Sequence, residues 1–365
     1  MSRQTEATNR RIGVGILGAG PVTQAIHLPS LARLRDILEV RHIMDVDPAV
    51  AESVAARVGA RFSTSMEELL ADPGVEIVAI CSPHQFHAVQ VIAACRAGKK
   101  AVLCEKPFAM NGEEAAAIAA VSAETGVPIV VGAMHTFDPG WLAAEAAWGG
   151  LPDQVHTVRS SIVLPPNPRF EDFATEIVGR TPPPPPASTG APSDDNAAVK
   201  AKLTGGVMGL AIHDLPLVRR FVPDFASVEV LHAQTVLPFG YVISLRAGTV
   251  AIELRAAMNG TWEPSWTFEA IGDDASLSID FTPSYVHAGS ATARIRTAAG
   301  TTVLGPFGHN GYEGEWRRLA DIARGTGTAP EPETLIHDLE FALAIADAAA
   351  ARVDAGDAAF EEARS

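Results

Sequence analysis

The chain has 365 residues, 47% of them hydrophobic and 19% charged, with a formal net charge of −15. That length favours two domains, and the composition suits a packed globular protein rather than a disordered one. The acidic balance argues against nucleic acid and anionic membrane as partners, because both select clustered Lys and Arg.

Met1–Arg11 is polar and reads as a flexible tail, neither a secretion signal nor an anchor, and no apolar run is long enough to span a bilayer. Cys81, Cys95 and Cys104 read as reduced core thiols, which points to a cytoplasmic protein. With no closely spaced Cys/His cluster, no metal site is expected.

Residues 12–135 read as an α/β domain. Ile12–Leu17 is a short apolar run that breaks at Gly18-Ala19-Gly20, after which Pro21 opens a helix, where its missing N–H costs nothing. Leu38–Met44 reads as a strand and Pro48–Val58 as a helix; Glu76–Cys81, Ala101–Cys104 and Pro128–Val131 are further β-rich runs. Helical patterns at Ala88–Ala97 and Glu113–Thr125 separate them. This alternation predicts parallel strands with right-handed crossovers, a Rossmann-type doubly wound sheet.

Residues 136–365 follow another grammar. β-like runs recur at Val155–Leu164, Ser227–Val236, Tyr241–Arg246, Thr249–Arg255, Thr267–Ile271, Ala275–Ile279, Ala293–Arg296 and Thr301–Leu304. They predict an α+β domain with an open, largely antiparallel sheet. Helices are expected near Gly314–Arg324 and Glu333–Arg352. An irregular insertion near 165–204 contains five consecutive prolines, Pro182–Pro186, and reads as an exposed polyproline-II loop.

The chemistry-bearing residues cluster after the strands. Gly18 allows a tight turn, and Gly20, Pro21 and Val22 bring backbone to the positive end of a helix, where a pyrophosphate binds; Thr23 stands where a third small residue is usual. Asp45 ends the second strand, placed to accept ribose hydroxyls and to repel a 2′-phosphate; Val46, Asp47 and Pro48 follow it without a cation, which favours NAD over NADP. The alternative is that Asp47 caps the next helix and Asp45 is a solvated loop residue.

Ser82-Pro83-His84-Gln85-Phe86-His87 follows another strand at the edge where such sheets bind ligands. Cofactor contact through Ser82-Pro83 competes here with Ser82 as a helix cap and with His84 and His87 as surface residues. Glu105-Lys106-Pro107 ends the strand Ala101–Cys104, where a charged pair at the end of a buried strand needs a reason.

In this order, the glycine turn, Asp45, Ser82-Pro83, His87 and Cys104-Glu105-Lys106-Pro107 resemble the glucose–fructose oxidoreductase/inositol dehydrogenase (Gfo/Idh/MocA) family. The resemblance implies an NAD(P)-dependent oxidoreductase acting on a sugar, sugar derivative or cyclitol, as a homo-dimer or homo-tetramer. It implies that Lys106 orients the substrate and stabilises alkoxide charge, that Glu105 positions the lysine, and that His213 exchanges the hydroxyl proton. The family's helix carries an Asp four residues before that histidine; here the position is Gly209, and Asp214, adjacent to His213, cannot share its helical face.

His135 and Asp214 are the candidates for substrate contact. His135 is expected to face an interdomain cleft, as a substrate ligand, a substitute proton relay or a hinge residue. Trp262 and Trp266 either offer flat apolar surface to a sugar ring or serve sheet packing. Gly209 also motivates a different reading, an NAD-binding sensor or partner subunit without dehydrogenase activity; a non-redox enzyme cycling a retained NAD is a third.

Overall fold

A computed structural model describes residues 10–179, 196–225 and 227–362. Most of the tail and the Pro182–Pro186 run lie outside the described residues. The chain divides into two compact units. The first comprises Met1–Met134, Phe170–Arg180 and Gly311–Leu339; the second comprises His135–Arg169, Thr181–Asn310 and Glu340–Ser365.

The first unit holds six strands: β1 (Ile12–Leu17), β2 (Leu38–Met44), β3 (Arg61–Ser63), β4 (Ile77–Ile80), β5 (Ala101–Cys104) and β6 (Ile129–Val131). All pair in parallel, in the order β3-β2-β1-β4-β5-β6. A parallel sheet covered on both faces needs continuous apolar strands, and every residue of β1, β4 and β5 is buried. Val14, Ile16 and Leu17 have no exposed surface, each a burial worth about 2 kcal/mol. The crossover helices are capped by their sequence. Asp47 accepts from the Ala49 and Val50 amides ahead of Pro48–Val58, and Asn111 accepts from Glu114 ahead of Gly112–Thr125. Strand order reverses between β1 and β4, so the turns after these strands meet at the switch point where such sheets bind ligands.

The second unit holds β7 (Val155–Leu164), β8 (Val228–Thr235), β9 (Phe239–Ala247), β10 (Val250–Met258), β11 (Ser265–Gly272), β12 (Ala275–Phe281), β13 (Thr292–Thr297) and β14 (Gly300–Leu304). Their order is β14-β13-β12-β11-β7-β10-β9-β8, antiparallel throughout except for the β7–β10 pair. Period-2 alternation separates the faces: in β10, Val250, Ile252 and Leu254 are buried while Ala251, Glu253 and Arg255 are exposed. Trp141, Trp148, Phe221 and Phe268 pack edge-on or stacked over the inner face. The outer face carries cross-strand ion pairs, Arg159 with Glu253 and Glu269, and Arg246 with Glu229.

Two expectations need correction. The segment before Gly205 is not irregular throughout: Pro168–Ala174 and Asn196–Gly209 are helical. The helix expected to carry His213 stops at Gly209: Leu210, with φ −117°, is a turn residue, and Ala211–His213 forms a separate 3₁₀ turn.

Candidate functional site

Four turns at the carboxyl edge of the first sheet bring together the predicted nucleotide-binding residues. After β1, Gly18 has φ +94°, and a Cβ there would come within 2.7 Å of the Ser82 nitrogen and 2.8 Å of the Cys81 carbonyl carbon. Only glycine lets the turns after β1 and β4 close so tightly. At Gly20, by contrast, a Cβ would meet no protein atom within 4 Å. Its backbone is approachable at the start of the helical segment that begins at Pro21 and Val22. Thr23 has a local reason to depart from a small residue: its buried hydroxyl donates to the Gly18 carbonyl at 2.6 Å and fastens the turn.

After β2, Asp45 accepts the Ala19 N–H at 2.7 Å through Oδ2 and the Asp47 N–H at 3.0 Å through Oδ1. Asp45 is therefore tied to the glycine turn, while Asp47 separately caps the next helix. Each carboxylate oxygen retains a second acceptor site, enough for ribose hydroxyls.

The turn after β4 differs from two of its expected readings. Ser82 caps no helix; its hydroxyl donates to Gln90 Oε1 at 2.6 Å. His87 is no surface residue: it is fully buried, with Nδ1 2.8 Å from the Pro107 carbonyl and Nε2 2.8 Å from the Ser82 carbonyl. The ring staples the turn after β4 to the turn after β5.

That last turn is Glu105-Lys106-Pro107, with a cis Lys106–Pro107 bond. Glu105 receives the Lys106 backbone N–H at Oε2 (3.3 Å) and faces His27 Nε2 at Oε1 (2.9 Å). A Cβ at Gly132 would lie 3.1 Å from the Glu105 carboxylate, so glycine after β6 makes room for this acid. Burial works to raise the proton affinity of Glu105, but His27 and Lys106 overcome it and hold the carboxyl below its ordinary value. Burial lowers the proton affinity of Lys106, with Glu105 as the opposing influence.

Three residues around this turn were not singled out from sequence. His27 is fully buried and takes the Trp316 indole N–H at Nδ1 (3.2 Å). Beside Trp316, the Glu315 carboxyl is fully buried with neither oxygen hydrogen-bonded among the described residues. Burial and then the Glu105 charge push Glu315 well above the carboxylate range, although His27 opposes them. A lone imidazole inside the apolar run Ala25-Ile26-His27-Leu28 was the available signal; Glu315 and Trp316 lie more than 200 positions beyond Glu105 and gave none.

The second unit gathers His135, His213 and Asp214. The helix break after Gly209 removes the four-residue register with His213, and a Cβ at Gly209 would meet no protein atom within 4 Å. Asp214, fully buried, instead pairs with His135 Nδ1 at 2.7 Å through Oδ1. Its Oδ2 accepts the Ser160 hydroxyl at 2.6 Å and the Trp266 indole N–H at 2.8 Å. The His135 ring stacks on Phe281 with centroids 3.7 Å apart, and its Nε2 is buried with no partner among the described residues. His213 meets Trp266 edge-on at 5.4 Å and lies 6.4 Å from His135, ring to ring. Trp266 is thus enclosed at 1% exposure rather than displayed to a sugar, whereas Trp262 is 78% exposed.

Residues 12–133 match the Gfo/Idh/MocA oxidoreductase family, described as an NAD-binding Rossmann fold. Through this stretch, about a third of its length, the chain is similar to that family. It is 33% identical over 159 residues to inositol 2-dehydrogenase 3 of Saccharopolyspora erythraea, a match covering 42% of this chain and 46% of that protein. The chain thus spans about half the length of that relative. Two solved structures share the fold over nearly the whole chain. A 3-ketoreductase from Actinomadura kijaniata, in complex with NADP and TDP-benzene, has a TM-score of 0.67 and 19% identity, covering 92% of this chain and 97% of its own. A levoglucosan dehydrogenase in complex with NADH and levoglucosan has a TM-score of 0.71 and 19% identity, covering 93% and 98%. The glycine turn, Asp45 and Lys106 all fall within the matched stretch, whereas His135, His213 and Asp214 lie beyond it.

Proposed function

We propose that the protein is an NAD(P)-dependent oxidoreductase that interconverts a hydroxyl and a keto group on a sugar, sugar derivative or cyclitol. The observation that carries this reading is the Lys106 turn, stapled by His87 to the turn after β4 at the binding edge of an NAD-binding Rossmann fold. The residues fit a dinucleotide: Gly20 leaves backbone approachable at a helix start, and Asp45 keeps acceptor capacity beside it. When bound, the nicotinamide cofactor supplies the hydride chemistry.

Lys106 holds the substrate oxygen and stabilises the negative charge that develops there, a role suited to an ammonium drawn out of water. Ser82 and Pro83 line the nucleotide side. His213 is the proposed proton-exchanging group. His135 and Asp214 contribute a buried imidazole–carboxylate pair in which Nδ1–H donates to Asp214, so that Nε2 is the basic nitrogen. We favour NAD over NADP because of the Asp45 carboxylate, and we place the protein in the cytoplasm as a homo-oligomer. Among the described residues no helix is long and apolar enough to cross a membrane.

A panel of sugars, nucleotide sugars and cyclitols, each offered with NAD and NADP and followed at the nicotinamide absorbance, tests the reading. Turnover with one or more of them is expected, falling about 100-fold or more in Lys106→Met with nucleotide affinity kept. Near-normal turnover in that variant would overturn the assignment of Lys106. Absence of turnover across the panel, with nucleotide still bound, would favour the sensor reading that Gly209 motivates.

A further inference from the structure

We infer that Gln24 is a positioning residue for the nucleotide-binding turn and that segment 175–179 is a strap seated on it, so that the strap and a bound nucleotide stabilise one another. The inference deepens the proposed oxidoreductase reading and rests on its nucleotide side.

Gln24 is 2% exposed, and its amide uses every hydrogen-bonding site it has. Nε2 donates to the Ala19 carbonyl at 2.7 Å and to the Val178 carbonyl at 2.9 Å. Oε1 accepts the Val178 N–H at 2.9 Å and Arg57 Nη1 at 3.2 Å. The amide fits one way round only, because a flip would set its oxygen against two carbonyls and its nitrogen against two N–H donors.

The first of these bonds reaches the nucleotide turn. Three successive carbonyls of that turn accept from the helical segment that follows it. Gly18 takes the Thr23 hydroxyl, Ala19 takes the Gln24 amide, and Gly20 takes the Gln24 backbone N–H at 3.0 Å. In a trans peptide the C=O and N–H point in opposite directions, so holding the Ala19 carbonyl sets the direction of the Gly20 N–H. The preceding peptide is held by Asp45, which accepts the Ala19 N–H. Gln24 and Asp45 therefore fix the two peptides that flank the Ala19 Cα, at the start of a helix where backbone meets a pyrophosphate.

The bonds to Val178 reach the strap, which belongs to the first compact unit. Val178 pairs with Gln24 through both of its backbone groups, and Arg57 Nη1 also lies 3.4 Å from Thr175 Oγ1. At Gly179, with φ +71°, a Cβ would come within 2.4 Å of Val50 Cγ2, so the strap lies close against the helix Pro48–Val58 that follows Asp45. Lifting the strap takes two of four partners from a buried amide and loosens its hold on the Ala19 carbonyl. A nucleotide that binds the turn in its held form therefore seats the strap, and the seated strap favours that binding by the same factor.

Amide hydrogen exchange at Val178 tests this without turnover. It is read by magnetic resonance on the full chain, with and without a saturating amount of NAD or NADP, whichever binds more tightly. Nucleotide should slow the exchange roughly tenfold. Gln24→Leu should raise the nucleotide Kd roughly tenfold and abolish that slowing. Gln24→Glu keeps the acceptor but loses both donors, and should match it. Gly179→Ala acts at Val50 rather than at Gln24 or the turn. It should speed Val178 exchange and raise the Kd by up to the factor by which nucleotide slows exchange in the parent. If Gln24→Leu does not fold, Gly179→Ala carries the test. Val178 exchange that nucleotide leaves unmoved, or the parental Kd in a folded Gln24→Leu or Gly179→Ala protein, overturns the inference while the nucleotide reading stands. A parent that binds neither NAD nor NADP overturns both.

Discussion

Asp214 and His135 stand 79 positions apart in sequence, yet their side chains meet at 2.7 Å in a buried site where Asp214 also receives Ser160 and Trp266. Three donors converging on one fully buried carboxylate define a charged group that cannot be removed cheaply. Burial, and after it the neighbouring Asp214 carboxylate, pushes the Tyr241 phenol well up. Asp214→Ala should destabilise the protein by about 3 kcal/mol or more, since each stranded buried donor costs roughly 1–3 kcal/mol. Urea unfolding followed by tryptophan fluorescence measures this. A loss below about 1 kcal/mol would mean that the network relaxes around the substitution.

The two glycines of the first turn should separate folding from binding. Gly18→Ala places a Cβ against the Ser82 nitrogen and the Cys81 carbonyl in a left-handed backbone. It should cost about 2 kcal/mol or more of stability and weaken nucleotide binding as a consequence. Gly20→Ala meets no protein atom. It should leave the thermal midpoint within a degree or two and raise the nucleotide Kd by roughly tenfold, through the methyl group it puts in the path of the pyrophosphate. Thermal melts and nucleotide titration of both variants check the contrast. A stable Gly18→Ala protein would contradict the assigned closure of the β1 and β4 turns.

Much of the fold was legible because its signals are local. Each of the eight β-like runs of the second unit is a strand, displaced by at most three residues at an end, because period-2 alternation over a half-buried sheet marks it directly. The nucleotide side was readable for the same reason, since Gly18, Asp45 and Glu105 each stand immediately after a strand, with Lys106 next to Glu105. β3, three residues long with two of them exposed, carries too little pattern to be seen. The illegible parts are long-range pairings. Nothing near Asp214 in sequence announces His135, nothing near Glu105 announces His27 or Trp316, and the end of the helix at Gly209 depends on tertiary context.

Glu76 should dominate the acid side of the stability profile of the first unit. Burial works to raise its proton affinity. Hydrogen bonds from Arg10 and Lys100, and one from the Gly13 N–H, overcome this and bring it from 4.5 to about 2. A carboxyl depressed in the folded state stabilises above its unfolded value, and the benefit drains away as pH falls from about 4.5 toward 2. Arg10 and Lys100 are at least half exposed, so solvent screening trims the contribution to about 2 kcal/mol. Glu76→Gln should lose about that much at pH 7, and its deficit relative to the parent should shrink as the pH is lowered through that window. Urea unfolding at pH 7 and pH 3 measures it; an equal deficit at both values would refute the electrostatic origin.

Nucleotide preference should turn on Asp45 and its neighbour. The carboxylate is fixed toward the glycine turn by the Ala19 N–H, and a 2′-phosphate placed beside it would meet a held negative charge. Val46, the next residue, is 83% exposed and offers nothing to bind such a phosphate. Val46→Arg alone should therefore improve NADP binding only slightly, because Asp45 still repels it. Asp45→Ser combined with Val46→Arg removes the repulsion and adds a guanidinium that matches phosphate geometry. The double variant should shift the NADP-to-NAD affinity ratio by roughly 100-fold, about 3 kcal/mol. Asp45→Ser should also weaken NAD, since it loses both the ribose acceptor and the tie to Ala19. Nucleotide titrations of the parent and the three variants decide the matter. A parent that binds NADP more tightly than NAD, or a double variant whose ratio does not move, would show that the 2′ position is read by residues other than Asp45.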